Sequence, residues 1–393
     1  MPQVLYLDTA RLGQISPSAK RALQAALEFS KAHGASAYFD DLLFGGANSY
    51  SGIQDFEGLN CWGGIDRFKS EVKQYLFGGD TGEVIFANRT ASLMLLAAKM
   101  LFARCRNVLV TDLNWSSYNS ILESAKPNPN CQVTEVRIRD LILNQKGSIE
   151  QVSETISKAY CQNECDGLFL PAICNHGIRL PIVSIVASIK EKSSLRFSAV
   201  DVAQAINHAD IAWADGTVDF IFGGTHKWLR SFEPMAVGYF GQKGSASFVR
   251  DTVIRELENN PLADPLTRIT QSAASHVEET VNLCPLFAAA GALKDMKPKT
   301  GVGRSFEIRR MVESTAANAG WKYLTPSRDL QSRILLLRKP NMENASAGII
   351  RKLLMRMGVA ATDYSGGLCR ISLPDSINEK QLAQLEHALA NVA

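Results

Sequence analysis

The sequence lacks the features that identify several large classes of protein. It has no basic run, and its net charge of +3 is too small to indicate a nucleic-acid partner. The longest apolar stretch, residues 93–103, is interrupted by Lys99 and is too short to cross a bilayer. The N-terminus has neither a basic segment nor a long apolar segment, so it predicts no signal peptide. We therefore expect a chain that binds neither nucleic acid nor membrane.

Metal-ligand spacing is also missing, although the chain contains eight cysteines and six histidines. Cys161 and Cys165 suit one face of a helix, but no second pair accompanies them, and the histidines are not paired either. The sequence therefore predicts a reduced, cytoplasmic protein without a metal site.

What the sequence does contain is an ordinary globular composition, with 46% hydrophobic and 21% charged residues in 393 positions. This length allows a large domain and a smaller one, each with its own core. We expect an N-terminal segment over residues 1–15, a large domain over 16–297 and a small α+β domain over 298–393. The segment 297–303, Lys-Pro-Lys-Thr-Gly-Val-Gly, is predicted to be the hinge between the two domains.

Between Glu83 and Phe240, short apolar segments alternate with stretches of helical periodicity. Such alternation favours an α/β fold with a mainly parallel sheet and helices on both faces. The predicted strands are 84–86, 108–110, 133–138, 167–170, 196–200, 218–222 and 236–240. The predicted helices between them are 92–103, 116–125, 149–160 and 181–192.

A polar trio follows one of these predicted strands. The apolar run 218–222 reads as a buried strand, and the dipeptide Gly-Gly at 223–224 is expected to end it. Thr225, His226 and Lys227 then lie at the carboxyl end, where open α/β sheets place their ligands. A lysine there, against apolar neighbours, can lose its charge and act as an amine nucleophile. Taken alone, the same pattern also describes an ordinary surface lysine.

A second segment, Asp201 to Gln204, follows the predicted strand 196–200. Asp201 lies 26 residues before Lys227. Together, the Asp-x-x-Gln and Thr-His-Lys pieces resemble the active-site core of fold type I pyridoxal-phosphate enzymes, in the class V aminotransferase branch. That branch also contains cysteine desulfurases, kynureninase and epimerases. The resemblance spans roughly residues 6–375. It implies a large domain with a mainly parallel, seven-stranded type of sheet, and a small C-terminal domain.

The resemblance assigns roles around the cofactor ring. Lys227 would form the Schiff base with pyridoxal 5'-phosphate, and Asp201 would keep the pyridine nitrogen protonated. Gln204 occupies the position that hydrogen-bonds the ring oxygen, and Trp115 the position that stacks on the ring. From the residues alone, Asp201 could equally form a turn at a strand end and Trp115 could belong to the core.

A phosphate site is expected where residues 88–92 close one strand and open a helix, because free N–H groups and the helix dipole favour an anion there. Thr90 stands at the family's hydroxyl position. Arg89 departs from the family, which more often has a small residue there, and leaves open an extra anion contact. Thr225 and His226 would add donors from the lysine side. The alternative is an ordinary helix N-terminus.

Two further pieces lie in the second half of the chain. Residues 278–282 resemble the turn whose threonine, here Thr280, reaches the phosphate of the neighbouring subunit, so the resemblance implies a homodimer. Residues 369–372 resemble the strand whose arginine, here Arg370, binds the substrate α-carboxylate, a match that suits a planar guanidinium. The loop Asn175-His176-Gly177 resembles the family loop near the substrate, but no role is assigned to His176.

The fold and the cofactor do not fix the reaction. An aminotransferase acting on an amino acid or related amine is the first choice, and a lyase of the elimination or kynureninase type, or an epimerase, is the alternative. A cysteine desulfurase is disfavoured because residues 359–368 contain no cysteine and Cys369 falls inside a predicted strand. A protein that only binds is disfavoured because Lys227, Asp201 and Arg370 occur together.

Overall fold

The structure, a computed structural model, describes residues 4–34, 40–79, 81–211, 213, 216–241, 244–271, 280–296 and 302–392. None of the helices in these ranges combines the length and the apolar character needed to cross a membrane. The same ranges contain no group of three or more His, Cys, Asp or Glu side chains that could hold a metal ion. The hinge predicted at 297–303 lies mostly outside the described residues.

The helices, in chain order, are α1 (Pro17–His33), α2 (Asp40–Leu43), α3 (Ile65–Val72), α4 (Thr90–Arg104), α5 (Ser116–Ala125), α6 (Arg139–Leu143), α7 (Ile149–Gln162), α8 (Ile182–Lys192), α9 (Ala246–Asn259), α10 (Pro265–Gln271), α11 (Cys284–Lys294), α12 (Val302–Asn318), α13 (Ile349–Arg356) and α14 (Glu379–Ala390). The strands are β1 (Leu5–Tyr6), β2 (Glu83–Ala87), β3 (Asn107–Thr111), β4 (Gln132–Val136), β5 (Gly167–Pro171), β6 (Phe197–Asp201), β7 (Phe220–Gly224), β8 (Ala236–Phe240), β9 (Lys322–Tyr323), β10 (Ile334–Arg338), β11 (Val359–Ala360), β12 (Thr362–Tyr364) and β13 (Leu368–Ser372).

In the described residues, the main sheet has seven strands in the order β2-β8-β7-β6-β5-β3-β4. Only β8 runs against its neighbours, so the expected mainly parallel α/β sheet is confirmed. Apolar side chains form separate cores on the two faces of this sheet. Because the other six strands share one direction, their carboxyl ends meet at one edge. Asp201 ends β6 at this edge, and Thr90 and Lys227 follow the ends of β2 and β7.

A second sheet, with the order β12-β13-β10-β9, is antiparallel and has a core of its own. The N-terminal segment joins this second unit, since β1 pairs in parallel with β11 and Leu7 is buried in the same core. Two helices, α9 and α10, lie where the sequence pattern predicted neither.

The expectation that Gly223 and Gly224 end the strand is wrong. Both residues belong to β7, where they pair with Val237 and Ala236 of β8. Glycine is needed here for close approach: a Cβ on Gly223 would lie 2.8 Å from the backbone nitrogen of Ala203. The missing side chain therefore makes room for a neighbouring turn and does not interrupt the strand.

We expect Phe222→Ala to destabilise the protein strongly. Phe222 lies in β7, is 0% exposed and stacks parallel to Phe169 at 6.1 Å. Truncating a buried phenylalanine typically costs about 3–5 kcal/mol, because the cavity does not collapse fully. Urea unfolding measures the change in the free energy of unfolding. The control is Leu262→Ala at an 89% exposed position, where the change should stay within about 0.5 kcal/mol. Equal effects of the two variants would contradict this packing.

Candidate active site

Lys227 lies in the turn that follows β7, at the carboxyl edge of the main sheet. Its side chain is partly buried and makes no hydrogen bond or ion pair with the residues that the structure describes. Burial lowers the pKa of the ammonium, the carboxylate of Asp201 opposes this shift, and the charge of Arg370 adds to it. An amine that loses its proton more easily is a better nucleophile.

Asp201 is the last residue of β6 and pairs in register with Phe222 of the neighbouring β7. Its Oδ1 accepts a hydrogen bond of 2.7 Å from the backbone N–H of Ala203. Burial raises the pKa of this carboxyl, and the charge of Lys227 opposes the shift. Asp201 and Lys227 thus lie at adjacent strand ends and influence each other without a direct ion pair.

A polar recess lies between Gly224, His226 and Thr90. A Cβ on Gly224 would lie 2.7 Å from the ring of His226 and 3.1 Å from the hydroxyl oxygen of Thr90. The Nδ1 atom of His226 is buried and has no hydrogen-bond partner among the described residues. Burial, with a contribution from the charge of Lys227, lowers the pKa of His226 to about 4. The ring is therefore neutral near pH 7.

The recess adjoins the N-terminus of α4, which begins at Thr90 directly after Asn88 and Arg89. Arg89 is exposed and makes no side-chain cap. The N–H of Ser92 donates to the carbonyl of Arg89 at 3.1 Å, so the N–H groups of Thr90 and Ala91 are the ones left for an anion. The carboxylate of Asp264 already accepts the N–H of Asn88, at 3.0 Å. An anion at this helix end can therefore contact only Thr90 and the residues after it, not the N–H of Asn88.

Trp115 directly precedes α5, at the end of the loop that follows β3. It is 49% exposed, so it is not a core tryptophan. An indole that lies half in water at the edge of the sheet is free to stack on a planar ligand.

Gln204, in contrast, already uses both ends of its amide within the protein. Its Nε2 donates to the carbonyl of Ala10 at 2.7 Å, and its Oε1 accepts from the indole N–H of Trp228 at 2.8 Å. The side chain therefore joins the N-terminal segment to the turn that carries Lys227. These bonds compete with the contact to a ring oxygen that the sequence suggests.

Thr225 is similarly engaged. It is fully buried, its hydroxyl donates to the carbonyl of Met235 at 3.2 Å, and the hydroxyl of Ser231 donates to it at 2.9 Å. Both contacts shape the turn around Lys227. Thr280 is exposed, and residues 278 and 279 of its motif lie outside the described residues.

Arg370 lies in β13 and is 4% exposed. Its Nη2 pairs with a carboxylate oxygen of Asp8 at 3.2 Å, and its Nη1 donates to the hydroxyl of Tyr364 at 3.1 Å. Its Nε is buried and has no partner among the described residues. One edge of the guanidinium is therefore left for another anion.

The N-terminal segment is hydrogen-bonded both to the turn that carries Lys227 and to the strand that carries Arg370. The N–H of Gly13 donates to the carbonyl of His226 at 2.8 Å, and the N–H of Ala10 donates to the hydroxyl of Ser372 at 2.8 Å. A Cβ on Gly13 would lie only 2.0 Å from the carbonyl oxygen of Lys227, so a larger residue would displace this contact. The segment holds the lysine turn and the Arg370 strand together.

Comparison with known proteins finds a family that is similar to part of the chain. Residues 48–231 match the sequence profile of the aminotransferase class-V family. Over this segment the chain is similar to class V aminotransferases. No curated protein sequence matches it at a significant level.

Solved structures share the fold of this chain. A NifS-like protein is 15% identical, with 99% of each chain covered and a TM-score of 0.68. The ureidoglycine–glyoxylate aminotransferase of Bacillus subtilis is 15% identical, with 99% of this chain and 92% of that chain covered and a TM-score of 0.63. The cystine C-S lyase C-DES, in complex with cysteine persulfide, is 12% identical, with 99% and 98% covered and a TM-score of 0.68. At these identities the likeness concerns the fold.

The matched segment is aminotransferase-like, and enzymes of the class V family depend on pyridoxal 5'-phosphate. The side chains fit this cofactor. Lys227 has no partner, Trp115 is free to stack, and the recess at Gly224 holds an unpartnered ring nitrogen of His226 beside a helix N-terminus. These are an amine, a ring support and phosphate donors, which are the groups that the cofactor requires.

The structure also brings in residues that the sequence did not single out. Asp8 and Tyr364 contact Arg370, and Asn114 and Arg139 carry buried polar atoms without partners among the described residues. His176, to which the sequence gave no role, carries such an atom as well. The sequence motif around Arg370 could not predict its contact with Asp8, because the two residues are 362 positions apart.

We expect stability to fall as the pH drops from 7 to 5, partly through His208. This ring lies 4.0 Å from that of Trp228, and its Nε2 accepts the N–H of Arg333. Burial, aided by the charge of Arg333, lowers the pKa of His208 to about 3. Near pH 5 the unfolded chain therefore binds a proton that the folded chain does not, which costs on the order of 2 kcal/mol.

The measurement is urea unfolding at pH 7 and pH 5, for wild type and His208→Gln. The variant should lose less stability than the wild type between these two pH values. An equal loss in both proteins would show that His208 does not resist protonation in the folded state.

Proposed function

We propose that this enzyme transfers the amino group of an amino acid to an oxo acid. The observation that carries the proposal is the amine of Lys227, which is partly buried and without a partner beside the end of β6, where Asp201 lies. Such an amine can bind the cofactor and can also carry a proton between substrate and cofactor.

The cofactor, when bound, supplies an electron sink for the electrons released as the substrate loses its α-proton. Asp201 would hold the pyridine nitrogen in its protonated form, and Trp115 would support the ring. Thr90, His226 and the N–H groups at the start of α4 would hold the phosphate, with Arg89 as an additional cation. Gln204 and Thr225 act mainly by fixing the turn around Lys227, since their polar atoms already have protein partners.

The thiols support transamination over desulfuration. Cys369 and Cys174 are buried, and burial raises the pKa of both thiols. A desulfurase needs a reactive thiolate that can reach its substrate. Neither of these two cysteines near Arg370 and His176 meets that requirement.

We also propose a homodimer in the cytoplasm. Thr280 is exposed in this chain, which is compatible with a contact to the phosphate of a second subunit. All eight cysteines are free, as in a reducing compartment.

The half-reaction tests the proposal. Mixed with excess amino acid and no oxo acid, the purified enzyme should release about one oxo acid per protomer and then stop, because the amino group stays on the enzyme. Lys227→Ala should lower this rate by about 10²–10⁴, the usual contribution of a proton-transfer group. Lys158→Ala, at an exposed position, is the control. Continuous release of ammonia would indicate a lyase and overturn the proposal.

A second test concerns Arg370, which we propose binds the α-carboxylate. A charge-assisted pair of this kind contributes about 1.5–3 kcal/mol, so Arg370→Ala should raise the KM for amino acids about ten- to hundredfold. Arg370→Lys should recover part of the loss, because an ammonium lacks the planar fork. The control is Arg338→Ala, an exposed arginine in the same sheet. An unchanged KM for amino acids in Arg370→Ala, together with a lower thermal midpoint, would make Arg370 structural.

A further inference from the structure

Three neighbouring strands carry buried, unpartnered polar atoms just beyond their carboxyl ends. In the main sheet β5, β3 and β4 lie side by side. His176 and Asn114 lie in the loops after β5 and β3, and Arg139 is the first residue of α6, which follows β4. Each has one buried nitrogen without a partner among the described residues: Nδ1, Nδ2 and Nε respectively. Each can donate a hydrogen bond in one of its ordinary forms, so the set suits an anion.

His176 is influenced by the charges of two arginines. Burial, together with the positive charges of Arg139 and Arg370, lowers the pKa of His176 to about 4. Its ring meets the ring of Tyr364 edge-on at 5.0 Å, and Tyr364 in turn accepts a hydrogen bond from Arg370. The loop after β5 therefore connects the Arg370 side of the site with the Arg139 side.

Arg139 is fixed in place but not neutralised. Its Nη2 donates to the carbonyl of Asp112, and its backbone N–H donates to the carboxylate of Asp112 at 3.2 Å. Its guanidinium forms no ion pair with a carboxylate among the described residues. Removing a guanidinium from water without pairing it with an anion costs free energy. A ligand carboxylate that pairs with Arg139 would offset this desolvation cost.

We infer that Arg139, with Asn114 and His176, forms a second anion subsite and that the amino substrate carries an acidic side chain. The α-carboxylate would lie at Arg370 and the side-chain carboxylate at Arg139. This inference rests on the proposed function, which places the α-carboxylate at Arg370. Neutral amino acids would leave Arg139 without a partner.

Unreactive acids test the subsite by binding alone. The probes are succinate, a dicarboxylate, and butyrate, a monocarboxylate of the same chain length, titrated into cofactor-loaded enzyme by calorimetry. Wild type should bind succinate at least about tenfold more tightly than butyrate, the effect of one charge-assisted pair. Arg139→Gln should abolish that preference and leave butyrate affinity within about twofold.

Two further variants make the result specific. Arg139→Lys should keep part of the preference for succinate, because it keeps the charge but not the fork. Arg137→Gln makes the same change two residues earlier, at a side chain that is 88% exposed, and should keep the whole preference. If Arg139→Gln fails to fold, as judged by its thermal midpoint, the Arg139→Lys titration still decides the matter.

Several outcomes overturn the inference. Equal affinity of wild type for succinate and butyrate would do so, as would an unchanged preference in Arg139→Gln. A parallel loss of both acids in that variant would assign Arg139 a supporting role in the fold. Equal rates of oxo acid release from neutral and acidic amino acids would contradict the inference and would still support transamination. The protein could also prefer succinate through Arg139 and yet release no oxo acid from amino acids. That result would contradict the proposed transamination and support the anion subsite.

Discussion

The structure depends on holding together four charged groups, two from the carboxyl edge of the main sheet and two from the N-terminal segment and β13. Lys227 and Arg370 are positive, Asp201 and Asp8 are negative, and only Arg370 and Asp8 form an ion pair. Burying a charge costs several kcal/mol unless it is paired. The unpaired Lys227 and Asp201 therefore sit in a site whose protonation is easily shifted, which suits chemistry on an amine.

The N-terminal segment makes this arrangement possible. Ala10 accepts from Gln204 and donates to Ser372, and Gly13 donates to the carbonyl of His226. The same segment supplies Asp8 to Arg370. One extended stretch of chain thus fixes the lysine turn of the first sheet against the arginine strand of the second. This explains why Gln204, which the sequence predicted to contact the cofactor, is bonded to the carbonyl of Ala10 and the indole of Trp228.

The strand order gives the proposed site a direction. Thr90 and His226, after β2 and β7, would hold the phosphate at one side. Asp201, after β6, lies next along the edge. His176 and Arg139 follow at the ends of β5 and β4 and extend the site towards the substrate side chain. A ligand would therefore lie across the ends of neighbouring strands, as is general for open parallel sheets.

The sequence by itself determined the parallel sheet and the positions of its candidate ligands, because both follow from local patterns. The strand Ala236–Phe240 and the helix Ser116–Ala125 have the predicted bounds, and Lys227 and Asp201 lie at adjacent strand ends. Only the tertiary structure decided which polar groups already have hydrogen-bond partners within the protein. Gln204 meets a carbonyl 194 residues away, and a glycine in β7 was misread as a stop because its close neighbour lies in another strand's turn. Hydrophobic periodicity reports burial within one element, whereas hydrogen-bond partners depend on how distant elements pack.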